Sequence, residues 1–326
     1  MQIFTKANYN FIRWRWHAVA LSAVVLALGI GTMVARGVPL GVDFTGGTIL
    51  VLEFEGPVTE DQVRSALAPL PGDKTVQRYG DGTTNEILIR LPQVAAGEEE
   101  ALEAGGKQAL DLIEAANLGK YELRSLESVG PGIGHDLQRQ GNGATVFSLL
   151  GIAAYIALRF RPSFAAGAIV ATFHDILITL SFLTFFGYEL SLNVVAAILA
   201  ITGYSVNDTI VIFDRVRENL RTMRRDSLEH IVNLSVNQTL ARTVITSGTT
   251  LVAVLCLFLL GGEVLRAFSF AMLVGVMAGT YSTVFIAAAI AIIVSRRKVA
   301  SRRTAALQPE KPAEAPRKPG RNVRVS

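Results

Sequence analysis

The chain alternates long uncharged runs with short charged segments, and this pattern predicts an α-helical polytopic membrane protein. A helix needs about 20 apolar residues to cross about 30 Å of hydrocarbon. Six runs approach or exceed this length, and the short second one is expected to begin nearer Asn142. The runs are His17–Ala35, Ala144–Leu158, Phe164–Phe186, Ser191–Phe213, Val244–Leu260 and Ala267–Val294.

A hydrophilic segment, Gly37–Asp136, separates the first two runs and has the pattern of a small α+β domain. Its strand-like and helix-like stretches are separated by turns rich in glycine, proline and asparagine. Their order, βαββαβ, is that of the ferredoxin-like unit. Thr59 followed by Gln62 predicts a capping box on the first helix. The predicted elements are strand Thr48–Phe54, helix Thr59–Leu70, strands Thr75–Tyr79 and Glu86–Leu91, helix Glu98–Asn117 and strand Tyr121–Ser128.

The charge distribution predicts how the chain is oriented. Basic residues mark the cytoplasmic ends of spans, and they cluster before the first run, at Arg159–Arg161, at Arg215–Arg225 and after Ser295. The hydrophilic segment instead carries seventeen acidic and seven basic residues, a net charge of −10. Both termini are therefore predicted to be cytoplasmic and this segment external. A cleavable signal peptide is the alternative for the first run, although that run is longer than a usual signal-peptide core.

Composition agrees with a membrane class and argues against several kinds of chemistry. Half of the residues are apolar, 18% are charged and the mean hydropathy is +0.39. A single cysteine, Cys256, excludes an intramolecular disulfide and a multi-cysteine metal site. No stretch matches Gly-x-x-x-x-Gly-Lys-Ser/Thr, and the histidines form no metal-ligand cluster in the sequence. We therefore expect no bound cofactor and no ATP hydrolysis by this chain.

These patterns divide the chain into four parts. They are the amino terminus with the first span (1–36), the external ferredoxin-like domain (37–138), spans two to six (139–295) and a basic tail (296–326). Within the third part, the segment at about 214–241 includes Ser227–Thr239, which is expected to lie along the interface as an amphipathic helix or to be a plain connector. The Pro-rich tail is predicted to be disordered and cytoplasmic. Its charge is expected either to bind anionic lipid or ribosomal RNA, or only to set the orientation of the chain in the membrane.

Asp208 is the main candidate for membrane chemistry, because it is the first carboxylate in the apolar run from Leu190. An ionised Asp inside a span costs roughly 3 kcal/mol, so it persists where it has a partner and a role. Arg242 begins the next span, and if both helices meet the membrane face at similar heights, Asp208 lies about 7 to 8 Å inside. Arg242 is therefore a candidate partner, and snorkelling to lipid phosphates is its alternative. Thr246 continues a polar stripe that by itself indicates helix packing.

Other polar or small residues allow two interpretations each. His174-Asp175, within the third span, is either a hydrogen-bonded packing element or a site for ions or protons. Asp43, between the glycines of Gly41–Gly47, is a turn carboxylate or a functional group. Gly130–Gly134 is a flexible hinge or a binding loop. Gly275 and Gly279 form a small-xxx-small face suited to close helix packing.

Five separated motifs, in order and on matching kinds of segment, together resemble the SecF family of bacterial protein-export membrane proteins. The resemblance runs from the first span to the last and leaves out the tail. The motifs are Gly41-Val-Asp-Phe-Thr-Gly-Gly47, Val129-Gly-Pro-Gly132, His174-Asp175, Gly203-Tyr-Ser-Val-Asn-Asp-Thr209 with Phe213-Asp-Arg-Val-Arg-Glu-Asn219, and Asn237-Gln-Thr-Leu-Ala-Arg-Thr243.

The resemblance implies one six-helix half of a resistance-nodulation-division-like bundle in the bacterial cytoplasmic membrane. It implies a subunit of the Sec translocase that works with SecD and uses the proton gradient, without another cofactor, to promote protein export. The chain has no second Asn207-Asp208-Thr209 stretch, so SecD would supply the other half. By family motif, Asp208 and Arg242 would be the charge pair on the proton path, with Asn207 and Thr209 beside it, and Asp43, Gly46 and Gly47 belong to a motif at the domain base. His174, Asp175 and Thr246 are the candidates for a secondary proton or packing site.

The expected partners are SecD, the Sec translocon channel subunits, the translocating preprotein and membrane lipids, with no specific nucleic acid. Two other classes of protein share parts of this pattern. A half-size proton-driven small-molecule exporter would use the same membrane core, but such pumps carry larger external domains. An intramembrane aspartyl protease would pair Asp175 with Asp208, but its second Asp usually stands in Gly-x-Gly-Asp, whereas Asp208 follows Ser-Val-Asn.

Overall fold

The structure is a computed structural model that describes residues 8–72, 74–79, 85–91 and 99–296. The predicted turn at 80–82 and nearly all of the predicted basic tail (297–326) lie outside the described residues. In chain order the elements are a 3-10 turn (Phe11–Trp14), α1 (Arg15–Arg36), α2 (Val42–Thr45), β1 (Gly47–Phe54), α3 (Glu60–Ala66), β2 (Thr75–Tyr79), β3 (Glu86–Leu91), α4 (Glu99–Ala115), β4 (Tyr121–Val129), α5 (Pro131–Arg159), α6 (Pro162–Phe186), α7 (Leu192–Thr222), α8 (Leu228–Leu260), α9 (Gly262–Ser282) and a π-helical turn (Thr283–Ala287).

Six helices in the described part of the chain are long and apolar enough to cross a membrane, and they coincide with the six predicted runs. The largest difference is in α5, which starts at Pro131, well before the predicted Ala144. Proline suits the first turn of a helix, where its missing N–H costs nothing. Gly130–Gly134 is therefore the N-cap and first turn of α5 and not a binding loop. Hydropathy detected only the apolar part of this helix.

The stretch Ser227–Thr239 is not a separate helix at the interface. Ser227 caps α8, with its Oγ accepting a hydrogen bond from the His230 backbone at 3.2 Å, and the helix then continues into the fifth span without a break. The apolar face of its first turns, Ile231 and Val232, is buried against the other helices of the bundle. This amphipathic face therefore covers protein, whereas the sequence led us to expect lipid.

The four strands form one antiparallel sheet in the order β2-β3-β1-β4. This order and the succession βαββαβ are those of the predicted ferredoxin-like unit. The capping box is confirmed, because Gln62 N donates to Thr59 Oγ1 at 3.4 Å and Thr59 N donates to Gln62 Oε1 at 2.8 Å. The core of this α/β unit is apolar and is contributed by strands and helices alike. Its fully buried side chains are Leu50, Leu52, Val63, Leu67, Ile87, Ile89, Ala109 and Ile113.

The helices of the bundle are buried to very different degrees. In the most apolar part of each span, 50% of the residues are buried in α6 and in α7, and 61% in the helix from Val264 to Arg296. The same fraction is 11% in α1, 6% in α5 and 17% in α8. The predicted small-residue face is confirmed, since a Cβ on Gly275 would lie 2.4 Å from Ile201 of α7. α9 therefore packs closely against α7 at this point.

Candidate functional site

Asp208 lies on α7 with its side chain inside the bundle, where the residue is 5% exposed. Its Oδ1 accepts a hydrogen bond of 3.0 Å from the Thr243 hydroxyl on α8. Its Oδ2 is buried and has no hydrogen-bond partner among the described residues. A buried carboxylate normally satisfies both oxygens. Asp208 is therefore only half satisfied by the protein around it.

Arg242 does not make the predicted direct contact with Asp208 in this structure. The ion pairs within the described residues do not include these two side chains, although Arg242 is within electrostatic range of the carboxylate. Successive residues of a helix point about 100° apart, so Thr243 faces α7 while Arg242 lies on the exposed side of α8. Thr243, the residue after the predicted partner Arg242, thus makes the contact with Asp208.

The remaining residues of the predicted pathway separate into different environments. Asn207 is exposed on α7. Thr209 is buried, donates to the Ser205 carbonyl at 3.1 Å and shares a hydrogen bond of 3.1 Å with Thr283. Thr246 donates to the carbonyls of its own helix, at 2.9 Å from that of Arg242. Among these residues, none is seen hydrogen-bonded to Asp208 in the described part of the chain.

His174 and Asp175 lie on α6 and are both buried. Asp175 Oδ1 is 2.9 Å from His174 Nδ1. Asp175 Oδ2 accepts hydrogen bonds from Ser205 on α7 at 2.6 Å and from Ser282 on α9 at 2.8 Å. Both carboxylate oxygens are therefore satisfied, and the group joins three helices.

The same network continues from His174 to α1. His174 Nε2 is 3.1 Å from the Ser22 hydroxyl, which in turn lies 3.2 Å from the Tyr281 hydroxyl. Tyr281 donates to the Ala18 carbonyl at 2.7 Å. A mostly apolar cavity of about 420 Å³ lies beside these three side chains. The network thus ties four helices together around Asp175.

The glycine-rich motif meets the bundle at the beginning of α7. Asp43 Oδ2 accepts a hydrogen bond of 2.8 Å from the Leu192 backbone N–H, which is at the first turn of that helix. Gly46 and Gly47 have φ angles of 71° and 123°, which favour glycine. The motif therefore links the start of β1 to the helix that carries Asp208.

Comparison with known proteins identifies the family. The profile described as "Protein export membrane protein SecD/SecF, C-terminal" matches residues 110–297, and the SecD/SecF GG motif profile matches residues 31–58. A protein translocase subunit SecF from Desulfurispirillum indicum is 41% identical over 85% of this chain and 88% of its own length. The SecF of Escherichia coli O157:H7 is 40% identical over 87% of each chain. The chain belongs to the SecF family.

Solved structures agree with membership of the SecF family. The crystal structure of SecDF from Thermus thermophilus, a translocon-associated membrane protein, matches with a TM-score of 0.80 and 35% identity. The match covers 91% of this chain and 40% of that chain. SecDF in a super-membrane-facing form matches with a TM-score of 0.69, over 94% of this chain and 41% of the other. The present SecF-family chain thus spans less than half of those SecDF chains.

Family membership decides between the classes that the sequence left open. SecF proteins are multi-pass membrane subunits of the Sec protein translocase, not catalytic enzymes, and no cofactor is known for the family. The small-molecule exporter and the aspartyl protease are therefore excluded for this SecF-family chain. In agreement, Asp175 and Asp208 have different hydrogen-bond partners in the structure.

Sequence reasoning missed the residues that bind the two buried acids. Thr243 ends one of the motifs that indicated SecF, yet nothing in the sequence distinguishes it from Arg242 as the contact. Ser22, Ser205 and Ser282 carry no signal of their own, because small hydroxyl residues are common in membrane helices. Only the packing of the helices brings them to His174 and Asp175.

Proposed function

We propose that this chain pairs with SecD in the cytoplasmic membrane, and that Asp208 takes up and releases protons whose movement promotes protein export. The pairing would complete a two-half bundle, and the proton gradient would supply the energy. One charge that crosses 100 mV yields about 2.3 kcal/mol, which is enough to move a packing equilibrium.

A polar stripe on the outside of the bundle supports a partner within the membrane. Asn207 on α7, and Arg242 and Thr249 on α8, are all exposed on helices that are long and apolar enough to cross a membrane. A charged side chain that faces hydrocarbon is costly, and Arg242 lies where the apolar run of α8 begins. α5, α1 and α8 are also the least buried spans, with 6%, 11% and 17% of the residues in their most apolar parts buried. A second half bundle that covers this surface would remove the cost of exposing Arg242 to lipid and would give the weakly buried spans a protein neighbour.

The observation that carries the proton role is the unsatisfied Oδ2 of Asp208. A carboxylate held through one oxygen by Thr243 can accept a proton on the other without breaking that bond. The approach of Arg242 would stabilise the charged form, and its withdrawal would leave a charge that protonation removes. Alternate exposure to the two sides of the membrane would then turn helix movement into proton transfer.

A direct test uses Asp208→Asn in membrane vesicles that contain SecD and this chain. The substitution removes the titratable group but nearly preserves its shape, so we expect SecD to copurify as before. Export stimulated by the proton gradient should fall to the level seen without a gradient. Normal stimulation in this variant would make Asp208 a structural residue and would refute the proposal.

We further propose that both termini are cytoplasmic and that residues 37–138 form an external domain that meets preprotein or translocon channel subunits. The basic clusters at Arg159–Arg161 and Arg215–Arg225 support this orientation. We also propose that membrane lipids are partners of the chain and that the tail, 296–326, binds an anionic lipid or the ribosome.

Labelling can test the orientation. Ser65 is exposed on the α/β unit, and Cys256 is the only native cysteine. In a Cys256→Ser background, Ser65→Cys should react with an impermeant maleimide added outside intact spheroplasts. Labelling that requires permeabilised membranes would reverse the orientation.

A further inference from the structure

The start of α7 is fastened to the base of the α/β unit by backbone hydrogen bonds. Gly41 N donates to the Leu190 carbonyl at 2.8 Å, and Leu190 N donates to the Pro39 carbonyl at 2.7 Å. The two segments thus form a short parallel bridge. One of them leads into β1, and the other is the turn between α6 and α7.

A carboxylate reinforces this junction. The first N–H groups of a helix have no partner within the helix, and negative charge is favourable there. Asp43 fills this place by accepting the Leu192 N–H at 2.8 Å, while the hydroxyl of Ser191 accepts the Val194 N–H at 3.3 Å. Asp43 comes from α2, four residues before β1 begins. The cap on α7 is therefore partly supplied by the α/β unit.

An ion pair forms the third link. Arg90 on β3 pairs with Glu189 in the α6–α7 turn, and the two side chains are 19% and 29% exposed. Arg90 Nη1 also donates to the Leu40 carbonyl at 3.4 Å. Burial lowers the pKa of Arg90, and the negative charge of Asp43 opposes this change. A guanidinium starts from so high a pKa that it stays charged, so the pair persists across physiological pH.

The helix that faces Asp208 is fastened at the other end of the bundle. Near the start of α8, Asn237 Oδ1 accepts the Tyr9 backbone N–H at 2.8 Å, and Asn237 Nδ2 donates to the Tyr9 carbonyl at 2.9 Å. Arg15 and Glu229 form an ion pair of 3.0 Å beside this contact. α7 is joined to α8 beside this contact as well, since Asn219 Nδ2 donates to Ser235 Oγ at 2.9 Å. The link between α7 and the α/β unit therefore lies at the opposite end of the bundle from the contacts that hold α8, and Asp208 lies between them.

We propose that Asp43, Arg90 and Glu189 couple the external domain to α7, so that displacement of the domain moves Asp208 relative to α8. This inference rests on the proposed function. α7 runs unbroken from Leu192 past Asp208, a distance of about 24 Å at 1.5 Å per residue. A helix of this kind transmits a shift at its first turn to the carboxylate. The three residues act as positioning residues, and the mobile contact is the one between Asp208 and Thr243.

The test is a charge exchange across the ion pair in vesicles that contain SecD. Arg90→Glu and Glu189→Arg should each lower gradient-stimulated export about tenfold, and the double variant should recover to within about twofold, because the attraction is restored with its sign reversed. Export without a gradient should not change. Arg124→Glu is the matched control, since it breaks the ion pair with Glu53 in the same sheet without touching α7.

Asp43 gives an independent test in case a charge exchange prevents folding. Asp43→Asn keeps an oxygen that can accept the Leu192 N–H and should retain most of the stimulation, whereas Asp43→Ala should lose it. The amount of protein and its copurification with SecD should stay the same in both. A merely structural role predicts instead that the amount of protein falls in parallel with export.

Asp208→Asn, measured alongside, separates the two hypotheses. If Asp208→Asn abolishes stimulation but the single charge exchanges and Asp43→Ala do not lower it, the coupling is refuted and the proton role stands. If Asp208→Asn exports normally, the proposed function itself has failed. If the double charge exchange folds but does not recover, the ion pair is not the coupling element.

Discussion

The surroundings of Asp175 and of Asp208 differ in one decisive respect. Both carboxylates are buried in the middle of neighbouring helices, at 1% and 5% exposure. Asp175 has hydrogen-bond partners on both oxygens, contributed by α6, α7 and α9. Within the described part of the chain, Asp208 has one hydrogen-bond partner, on one oxygen. The difference agrees with the roles proposed above, in which Asp208 changes its charge, and it favours a packing role for Asp175.

The physical reason lies in the cost of disturbing each group. A fully satisfied buried network is strong, and the loss of one member leaves the others without partners. A half-satisfied carboxylate already carries part of that cost in the resting structure. Protonation of Asp208 would therefore disturb few neighbours, whereas protonation of Asp175 would disturb three helices. The predictions below are arranged by how strongly they test this difference.

The largest effect is expected when each acid is replaced by alanine. Asp175→Ala leaves His174, Ser205 and Ser282 without their acceptor, so the free energy of unfolding should fall by about 3 kcal/mol. Among the described residues, Asp208→Ala leaves only the Thr243 hydroxyl without its acceptor, and it removes a half-satisfied carboxyl group, so the change should stay below about 1 kcal/mol. Unfolding in mixed detergent with increasing dodecyl sulfate measures both values. Equal losses would remove the distinction between the two sites.

A smaller effect is expected at the partner of Asp208. Thr243→Val keeps the shape of the side chain but removes the hydroxyl that holds Oδ1. A hydrogen bond to a charged group contributes about 1.5 to 3 kcal/mol, so gradient-stimulated export should fall about tenfold. Thr246→Val, one turn further along α8, is the matched control, because its hydroxyl bonds only to carbonyls of α8 in the described structure. Similar losses in both variants would mean that the contact with Asp208 has no special role.

The smallest effect is expected when one link to Asp175 is removed. Ser282→Ala deletes the bond from α9 but leaves Ser205 and His174 in place. Hydrogen bonds between membrane helices average about 0.6 kcal/mol, and we expect a loss of that size in the free energy of unfolding. Gradient-stimulated export should be normal. A variant that is stable but inactive would indicate that Asp175 takes part in proton transfer and does not only hold helices together.

The sequence predicted the α/β unit more accurately than the contacts of the buried acids. β2 and β3 have the predicted bounds, Thr75–Tyr79 and Glu86–Leu91, because alternating burial and turn residues are local signals. A lone carboxylate in an apolar run is also a local signal, and it led directly to Asp208. The choice of Thr243 over Arg242 as its contact depends on the rotation of α8 about its axis. That rotation is set by packing against α7, which no stretch of α8 encodes alone.

The same limit explains the errors at the helix ends. Hydropathy located the apolar middle of α5 but not its start at Pro131, since those first turns are polar. The first turns of α8 were expected at the lipid interface because their apolar face is evident from the sequence. The structure supplies a protein surface for that face, with Ile231 and Val232 at 1% and 0% exposure. Amphipathic periodicity shows that a face is covered, but it does not show what covers it.

The π-helical turn at Thr283–Ala287 determines which side chains of the last helix face the core. Such a turn accommodates one residue more than an α-helical turn, so it is equivalent to an α-helix with one residue inserted. Just before and within it, the adjacent side chains of Ser282 and Thr283 both point inward, to Asp175 and to Thr209. A Cβ on Gly167 would lie 2.4 Å from the carbonyl oxygen of Ala287, the last residue of the turn. Deletion of one residue here would rotate everything beyond it by about 100° and turn the buried Ala291 and Ile292 away from the core.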